Sequence, residues 1–462
     1  MNPDRKRHIR WLVGMGLLFT GGIAAAQERK SEAPSLPEET APPPVEPQQD
    51  RMQLLEDRIT ELNERLQRSE ELRLKSVSPL TWNGYVDFGF FAPYGNHGAG
   101  WIQDVGNVHF PQYSGYSWTF LGDILATAVN TRGEPADLGN EMAPGLVPPR
   151  FDSINSDGAP GFIVNEVNLR PRYALSDNAI LRSSINFTPR SGENFALGDL
   201  VDVDLAEMEY VLTRDGKTSI FAGKTLPVFG IEYKERKSDQ RFGITPSLVS
   251  RYTIGPQLGL KIRSKLLNDW LVLAASVTNN SSTIEAFHFY SEIDKNVGKT
   301  LNGRVAVSIP IAAQRLEIGG SGEWGPQDRA SNNAGKMWFA GLDLQFLGVN
   351  YALKAQVMQG KAPGRPEEGV WGLDLKTSGY VEFDWQVVGR FGFLVRAEIR
   401  DAIVTLGTER IYITKQARFT GGLRLVFNPH IAMKAEYLHN VEYGGIPSFL
   451  DDIFTSSLVL SF

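Results

Sequence analysis

From Pro79 to the C-terminus the sequence alternates apolar and polar residues with period two, which commits this part of the chain to β-strands. Val381, Phe383, Trp385 and Val387 alternate with Glu382, Asp384 and Gln386, and Phe391, Phe393, Val395, Ala397 and Ile399 with Arg396, Glu398 and Arg400. Ile431, Met433, Ala435 and Tyr437 alternate with Lys434 and Glu436, and the last run places Phe454, Ser456, Leu458, Leu460 and Phe462 on one face. A soluble β-sandwich alternates in the same way. Three features point instead to a membrane barrel. The runs are mostly about 9–12 residues, long enough to cross a bilayer when tilted. Aromatics recur near their ends, as at Trp338, Phe346, Tyr351, Phe419, Phe427 and Tyr437, where interfacial girdles belong. Charged residues sit at mid-strand opposite the apolar face, where an aqueous lumen satisfies them.

The connections give an independent test. Tight turns are expected near Ser176-Asp177, Asp215-Gly216, Leu267-Asn268, Ala312-Ala313, Leu347-Gly348, Gly389 and Asn428-Pro429. Longer polar segments alternate with them, at about 190–200, 227–255, 280–299, 325–334, 360–375, 401–413 and 442–451. Short turns at one end and long loops at the other are the pattern of an outer-membrane barrel. Both chain ends of the barrel should lie on the periplasmic side, so the first strand, near 80–92, runs outward. The strand near 161–174 leads into a tight turn and runs inward, so an even number of strands separates them. The expectation is therefore an all-β membrane protein with an antiparallel 16-stranded transmembrane β-barrel. Eighteen strands is the alternative, with Trp118 to Val129 as one added strand, but the second, near 140–150, would have to accommodate Pro144, Pro148 and Pro149. Sixteen strands leave residues 93–160 as one long first loop. Its segment Leu121–Val129 is expected to constrict the channel.

Three segments precede the barrel, which is assigned to 79–462. Residues 1–26 read as a cleavable signal peptide, with Arg5, Lys6, Arg7 and Arg10, an apolar run from Trp11 to Ile23, and Ala24-Ala25-Ala26 before the cut. Residues 27–47 are a Pro-rich linker that cannot bury a core. Over 48–76, Met52, Leu55, Ile59, Leu62 and Leu66 are spaced 3-4-3-4 among charged residues, the seam of a short coiled-coil helix of about 40 Å. The helix is an assembly device or a periplasmic spacer.

Composition excludes other classes. The 462 residues contain no cysteine, which removes disulfides, thiolate zinc sites, iron–sulfur clusters and cysteine nucleophiles. A formal charge of −6, from 47 basic and 53 acidic residues, argues against a nucleic-acid-binding surface. A mean hydropathy of −0.22 argues against a helical membrane protein but not against a barrel, whose two faces average out.

The charged face of each strand supplies the expected pore lining. Its cations are Arg170, Arg172, Arg182, Lys261, Arg263, Arg304, Lys354, Arg396, Arg400, Arg418, Arg424 and Lys434. Its carboxylates are Glu166, Glu207, Glu209, Glu317, Glu323, Asp343, Glu382, Asp384, Glu398 and Glu436. Such a surface either sorts ions by charge or neutralises itself and keeps the lumen wet. A slight excess of cations favours a mild anion preference. No catalytic residue, cofactor or metal site is expected: His97, His109, His288, His430 and His439 stand at no metal-ligand spacing, and four of them fall in expected loops, turns or strand ends. Asp202 with Asp204, and Asp451 with Asp452, read as solvated loop ends or headgroup cation sites.

Three stretches carry a resemblance, one to an assembly signal and two to a family. Val459-Leu460-Ser461-Phe462, with Leu458 before it, resembles the C-terminal signal read by the barrel assembly machinery. The stretch Ala222–Gly230, containing Gly223-Lys224, Pro227 and Phe229-Gly230, resembles one in the phosphate-selective porin superfamily. Gly422–His430 followed by Glu436-Tyr437 is similar to that family's strand–turn–strand near the end, with His430 in place of its final Asn. The resemblance implies a trimeric 16-stranded barrel in the outer membrane of a Gram-negative cell. The family's phosphate-binding residues have no placed counterparts, so phosphate selectivity is not implied. The expected function is passive diffusion of small hydrophilic solutes and ions. The alternative is a structural tether or scaffold barrel acting through the periplasmic coiled coil.

Overall fold

The computed structural model describes residues 79–94, 101–104, 117–120, 159–187, 201–283, 292–406, 409–444 and 452–462. The expected signal peptide, linker and coiled-coil seam lie outside the described residues, as do most of the first loop and Leu121–Val129.

Eighteen strands are described, and sixteen of them close into one antiparallel barrel. β1 (Leu80–Tyr94) is followed by a separate two-stranded sheet of β2 (Trp101–Asp104) and β3 (Ser117–Phe120). The barrel continues with β4 (Gly161–Ser176), β5 (Ala179–Phe187), β6 (Val201–Val211), β7 (Thr218–Thr225), β8 (Gln257–Leu266) and β9 (Leu271–Thr278). Next come β10 (Thr300–Ile311), β11 (Gln314–Pro326), β12 (Lys336–Leu347), β13 (Tyr351–Ala362) and β14 (Gly372–Val388). It ends with β15 (Phe391–Leu406), β16 (Glu409–Asn428), β17 (Ile431–Glu442) and β18 (Asp452–Ser461). Trp118 pairs with Gln103 outside the barrel, so the strand count is sixteen and not eighteen. β1 closes on β18 with Tyr85 opposite Ser461, and Gly84 and Phe462 exchange backbone hydrogen bonds of 3.2 and 3.0 Å. Closure leaves no sheet edge, which a bilayer requires because it offers no water to unpaired backbone groups.

All seven expected tight turns join strands at one end of the barrel. The strands are longer at the other end than expected. β15 and β16 span 16 and 20 residues and pair as far as Leu406 with Glu409, through the region read as a loop at 401–413. Outside the bilayer a hairpin keeps its backbone paired whatever its side chains, so polar composition does not end the ladder. The same reason extends β14 back to Gly372, into the segment read as a loop at 360–375.

The alternation becomes two faces. Leu260, Val305, Leu342, Val381, Val395, Ile399 and Leu423 are exposed on the outside, the arrangement of a lipid-facing belt. Trp82, Tyr210, Trp270, Trp385, Phe391 and Phe462 ring the end with the tight turns, and Phe162, Trp324, Trp338, Phe419, Tyr437 and Phe454 the end with the loops. Leu458, Leu460 and Phe462 share this outer face on β18. Among the described residues no helix is long and apolar enough to cross a membrane.

Candidate functional site: the barrel lumen and its inward loop

The inner face carries the charges, yet Arg400, Arg418 and Lys434 are among the most completely buried side chains of the molecule. The covering element is the connection between β7 and β8, residues 226–256, which folds into the barrel. It includes a 3-10 turn at Glu232–Glu235 and one helical turn at Ser250–Thr253. The sequence marks this segment only as polar. The Leu121–Val129 segment expected to constrict lies outside the described residues, and the described loop that narrows the lumen is 226–256.

Glycine sets the loop's entry. Gly230 has φ +68°, and a Cβ there would lie 2.2 Å from the Gln356 amide, so the backbone passes against β13 only without a side chain. Gly230 N–H donates to Ser321 Oγ (3.0 Å) and Ile231 N–H to Gln356 Oε1 (3.3 Å). Phe229 beside them is buried with Val249, Tyr252, Phe339, Leu375 and Tyr380 in an apolar cluster under β12–β15. The Ala222–Gly230 stretch thus packs and turns the loop inward.

Charged walls hold the rest of the loop. Lys354 Nζ meets Glu235 (2.5 Å), Glu382 (3.2 Å) and Asp384 (2.9 Å), while Lys234 reaches Glu317 (3.3 Å). On the opposite flank Arg236 pairs with Asp204, and Lys237 with Asp204 (2.6 Å) and Glu166 (3.0 Å). Arg170 of β4 pairs with Asp239. Lys434 Nζ donates to three loop carbonyls, of Ser238, Arg241 and Gly243, at 2.5–2.9 Å. Glu436 accepts from Ile244 N–H (2.6 Å), Thr245 N–H (2.9 Å) and Thr245 Oγ1 (2.7 Å). Arg396 binds the Thr245 carbonyl (3.0 Å) with Glu382 (3.0 Å) and Glu398 (3.0 Å), and Arg418 binds the Pro246 carbonyl (2.7 Å) and Glu398. Arg400 donates to Tyr252 Oη from Nε and Nη2 (3.0 and 2.7 Å). Arg304 joins Glu317 (2.9 Å) and Asp343 within the wall. Buried charge is tolerated only when paired and hydrogen-bonded, and here loop and wall pair each other.

The loop therefore touches β1, β4, β5 and β6 on one side, β11 and β13 on the other, and β15–β17 across the lumen from its own hairpin. Asp204 is a correction to the sequence reading: it is 2% exposed and ion-paired to the loop, not a solvated loop end. Asp452 accepts from the Tyr437 hydroxyl (2.8 Å) and Asn440 N–H (3.0 Å). Asp451, His97, His109 and His288 lie outside the described residues.

Not every lumen charge is covered. Arg182, Arg263, Arg315 and Lys234 keep 35%, 49%, 45% and 39% of their side chains exposed, while their partners Glu207, Glu209 and Glu317 keep 4%, 13% and 8%. Arg172, directly opposite Arg182, is also exposed, and Lys261 stands 4.4 Å from the Phe221 ring that Arg182 and Arg263 flank. Arg424, half-buried on β16, lies over Phe242 of the loop at 5.2 Å. A small cavity of about 10 Å³ remains between the loop and β12–β15, lined by Glu232, Glu235, Arg241, Lys354, Glu382 and Arg396 among others.

No family model matches the chain, and no curated protein matches it. Among solved structures it is similar to the outer-membrane channel DcaP of Acinetobacter baumannii, with 9% identity over 83% of this chain and 97% of that one and a TM-score of 0.49. Salmonella typhi OmpF in complex with daunomycin has the same identity, coverage and TM-score. The in-vitro folded, trimeric form of OmpT from Vibrio cholerae is 10% identical over 83% of this chain and 99% of that one, at a TM-score of 0.45.

Proposed function

We propose that this protein is an outer-membrane porin, a passive channel for small hydrophilic solutes whose bore is set by the inward loop 226–256. The observation that carries this reading is the pairing of two opposite faces in one closed barrel. Apolar side chains cover the outside, and charged side chains line the inside, including a water-exposed set along β4–β11. An aqueous path through a lipid-facing wall is what that combination supplies.

The finer reading is a mild preference for anions. The wall's cations and carboxylates are similar in number, but Arg182, Arg263, Arg315 and the loop's Lys234 keep a third or more of their side chains exposed while their carboxylate partners keep far less. Rings of one exposed sign bias permeation toward the opposite ion. Assembly as a homotrimer, delivery by a cleaved signal peptide and insertion by the barrel assembly machinery belong to the same proposal. The heptad seam over 48–76 supports self-association.

One observation favours a second reading. The loop is bonded to walls on every side, and a barrel closed in this way would serve as an anchor for the coiled coil. The mature chain lacking residues 27–76, placed in planar bilayers under a salt gradient, separates the two. A porin gives discrete conductance steps and a zero-current potential on the anion side. An anchor gives no steps.

A further inference from the structure

We propose that the loop-bearing ends of β8, β10 and β11 form a binding site for a hard metal cation, best matched by calcium. Four side-chain oxygens there have no hydrogen-bond partner: Glu323 Oε1, Gln257 Oε1, Asn302 Oδ1 and Thr300 Oγ1. Their residues are 3%, 0%, 5% and 0% exposed.

The four belong to one place. Asn302 stands directly opposite Glu323 in the β10–β11 ladder, and Thr300 lies two residues along the same inner face. Gln257 Nε2 donates to Glu323 Oε2 (3.2 Å) and to the Asn280 carbonyl (3.2 Å), which leaves its own oxygen as the free end of the amide. Asn302 Nδ2 is likewise directed at Thr278 Oγ1 (3.4 Å), leaving Oδ1 unused.

Elsewhere in the lumen Glu317, Glu382 and Glu398 each meet a lysine or arginine. Among the described residues no cationic side chain pairs with Glu323, whose contacts are Gln257 and Ser282 N–H (3.0 Å). A buried polar atom left unpaired costs folding free energy, and a charged one costs more. Thr300 Oγ1 carries a proton of its own, but the other three oxygens only accept, more than the two protons of one water can serve, whereas one cation can bind all four. A single carboxylate with amide and hydroxyl oxygens is a hard-ligand set. It fits the six to eight flexible oxygen contacts of Ca²⁺ better than the strict octahedron of Mg²⁺. One carboxylate implies weak binding, on the order of 10⁻⁴–10⁻³ M. Among the described residues no group of three or more His, Cys, Asp or Glu is placed to hold a metal ion, so the site depends on neutral oxygens that acidic-residue patterns do not reveal.

The cation would brace the return of the inward loop. Ser282 donates its N–H to Glu323 and its hydroxyl to the Tyr252 carbonyl (2.8 Å), linking β11 to the end of that loop. The proposal rests on this geometry alone and holds whether or not the barrel conducts.

The test is equilibrium dialysis of the detergent-purified, chelator-stripped full chain against radioactive calcium. The wild type is expected to bind one Ca²⁺ per chain saturably. Glu323→Gln, nearly isosteric, is expected to weaken it more than tenfold, and Asn302→Asp, which adds a charge, to tighten it several-fold. Absence of a saturable site in the wild type overturns the proposal, as does unchanged binding in both variants. If Glu323→Gln fails to reach the heat-modifiable barrel form, Asn302→Asp decides alone: tighter binding supports the site, and unchanged or weaker binding overturns it.

Discussion

At Lys434 a single side chain carries much of the loop's attachment. It occupies the carbonyls of Ser238, Arg241 and Gly243 at once and is 1% exposed. Lys434→Met keeps the volume but leaves three buried acceptors unserved. It is expected to lower unfolding stability in urea by about 3 kcal/mol, and a change below about 0.5 kcal/mol would contradict the role given to it. Arg182 and Arg263 act differently, because they lie beside the wall carboxylates Glu207 and Glu209 rather than the loop and keep 35% and 49% of their side chains exposed. The double change Arg182→Glu, Arg263→Glu is expected to move the zero-current potential toward cations with the barrel intact by heat modifiability. An unmoved potential would place ion sorting elsewhere. The charge pattern in the sequence identifies these residues as inward-facing. It does not separate Lys434 from Arg263, because burial depends on where the loop lies.

At the scale of the element, period two was enough to define the strands and their faces. Val395 exposes 56% of its surface on the outside of β15, and its neighbour Arg396 is 3% exposed on the inside. Val395→Lys therefore places a charge against lipid. It is expected to cost about 2–4 kcal/mol in vesicles, whereas the same change in detergent, where headgroups and water reach the belt, is expected to cost less. Equal costs in both media would argue that β15 does not face lipid. The seven tight turns were also legible, since Asp215-Gly216 and Asn428-Pro429 carry their own backbone preferences. The inward loop was not. Its partners are wall residues such as Glu166, Lys354 and Glu436, up to roughly 200 positions away in sequence, and no local pattern in 226–256 records them. Gly230 and Phe229 were visible as a motif, but their geometric task appears only when β13 is beside them.

For the whole molecule, a closed sixteen-stranded wall and a loop bonded across its lumen leave less open space than the wall alone would. The buried charges are satisfied mutually, so loop and wall form one polar unit, and the remaining water-exposed charge is concentrated on one side. The central claim is that this loop sets the bore. Single-channel conductance tests it most directly, comparing the wild type with a chain in which residues 233–249 are replaced by a short Gly-Ser linker, both verified as heat-modifiable barrels. The account predicts a several-fold larger conductance step and weaker ion selectivity in the shortened chain. Equal conductance in the two chains would contradict it.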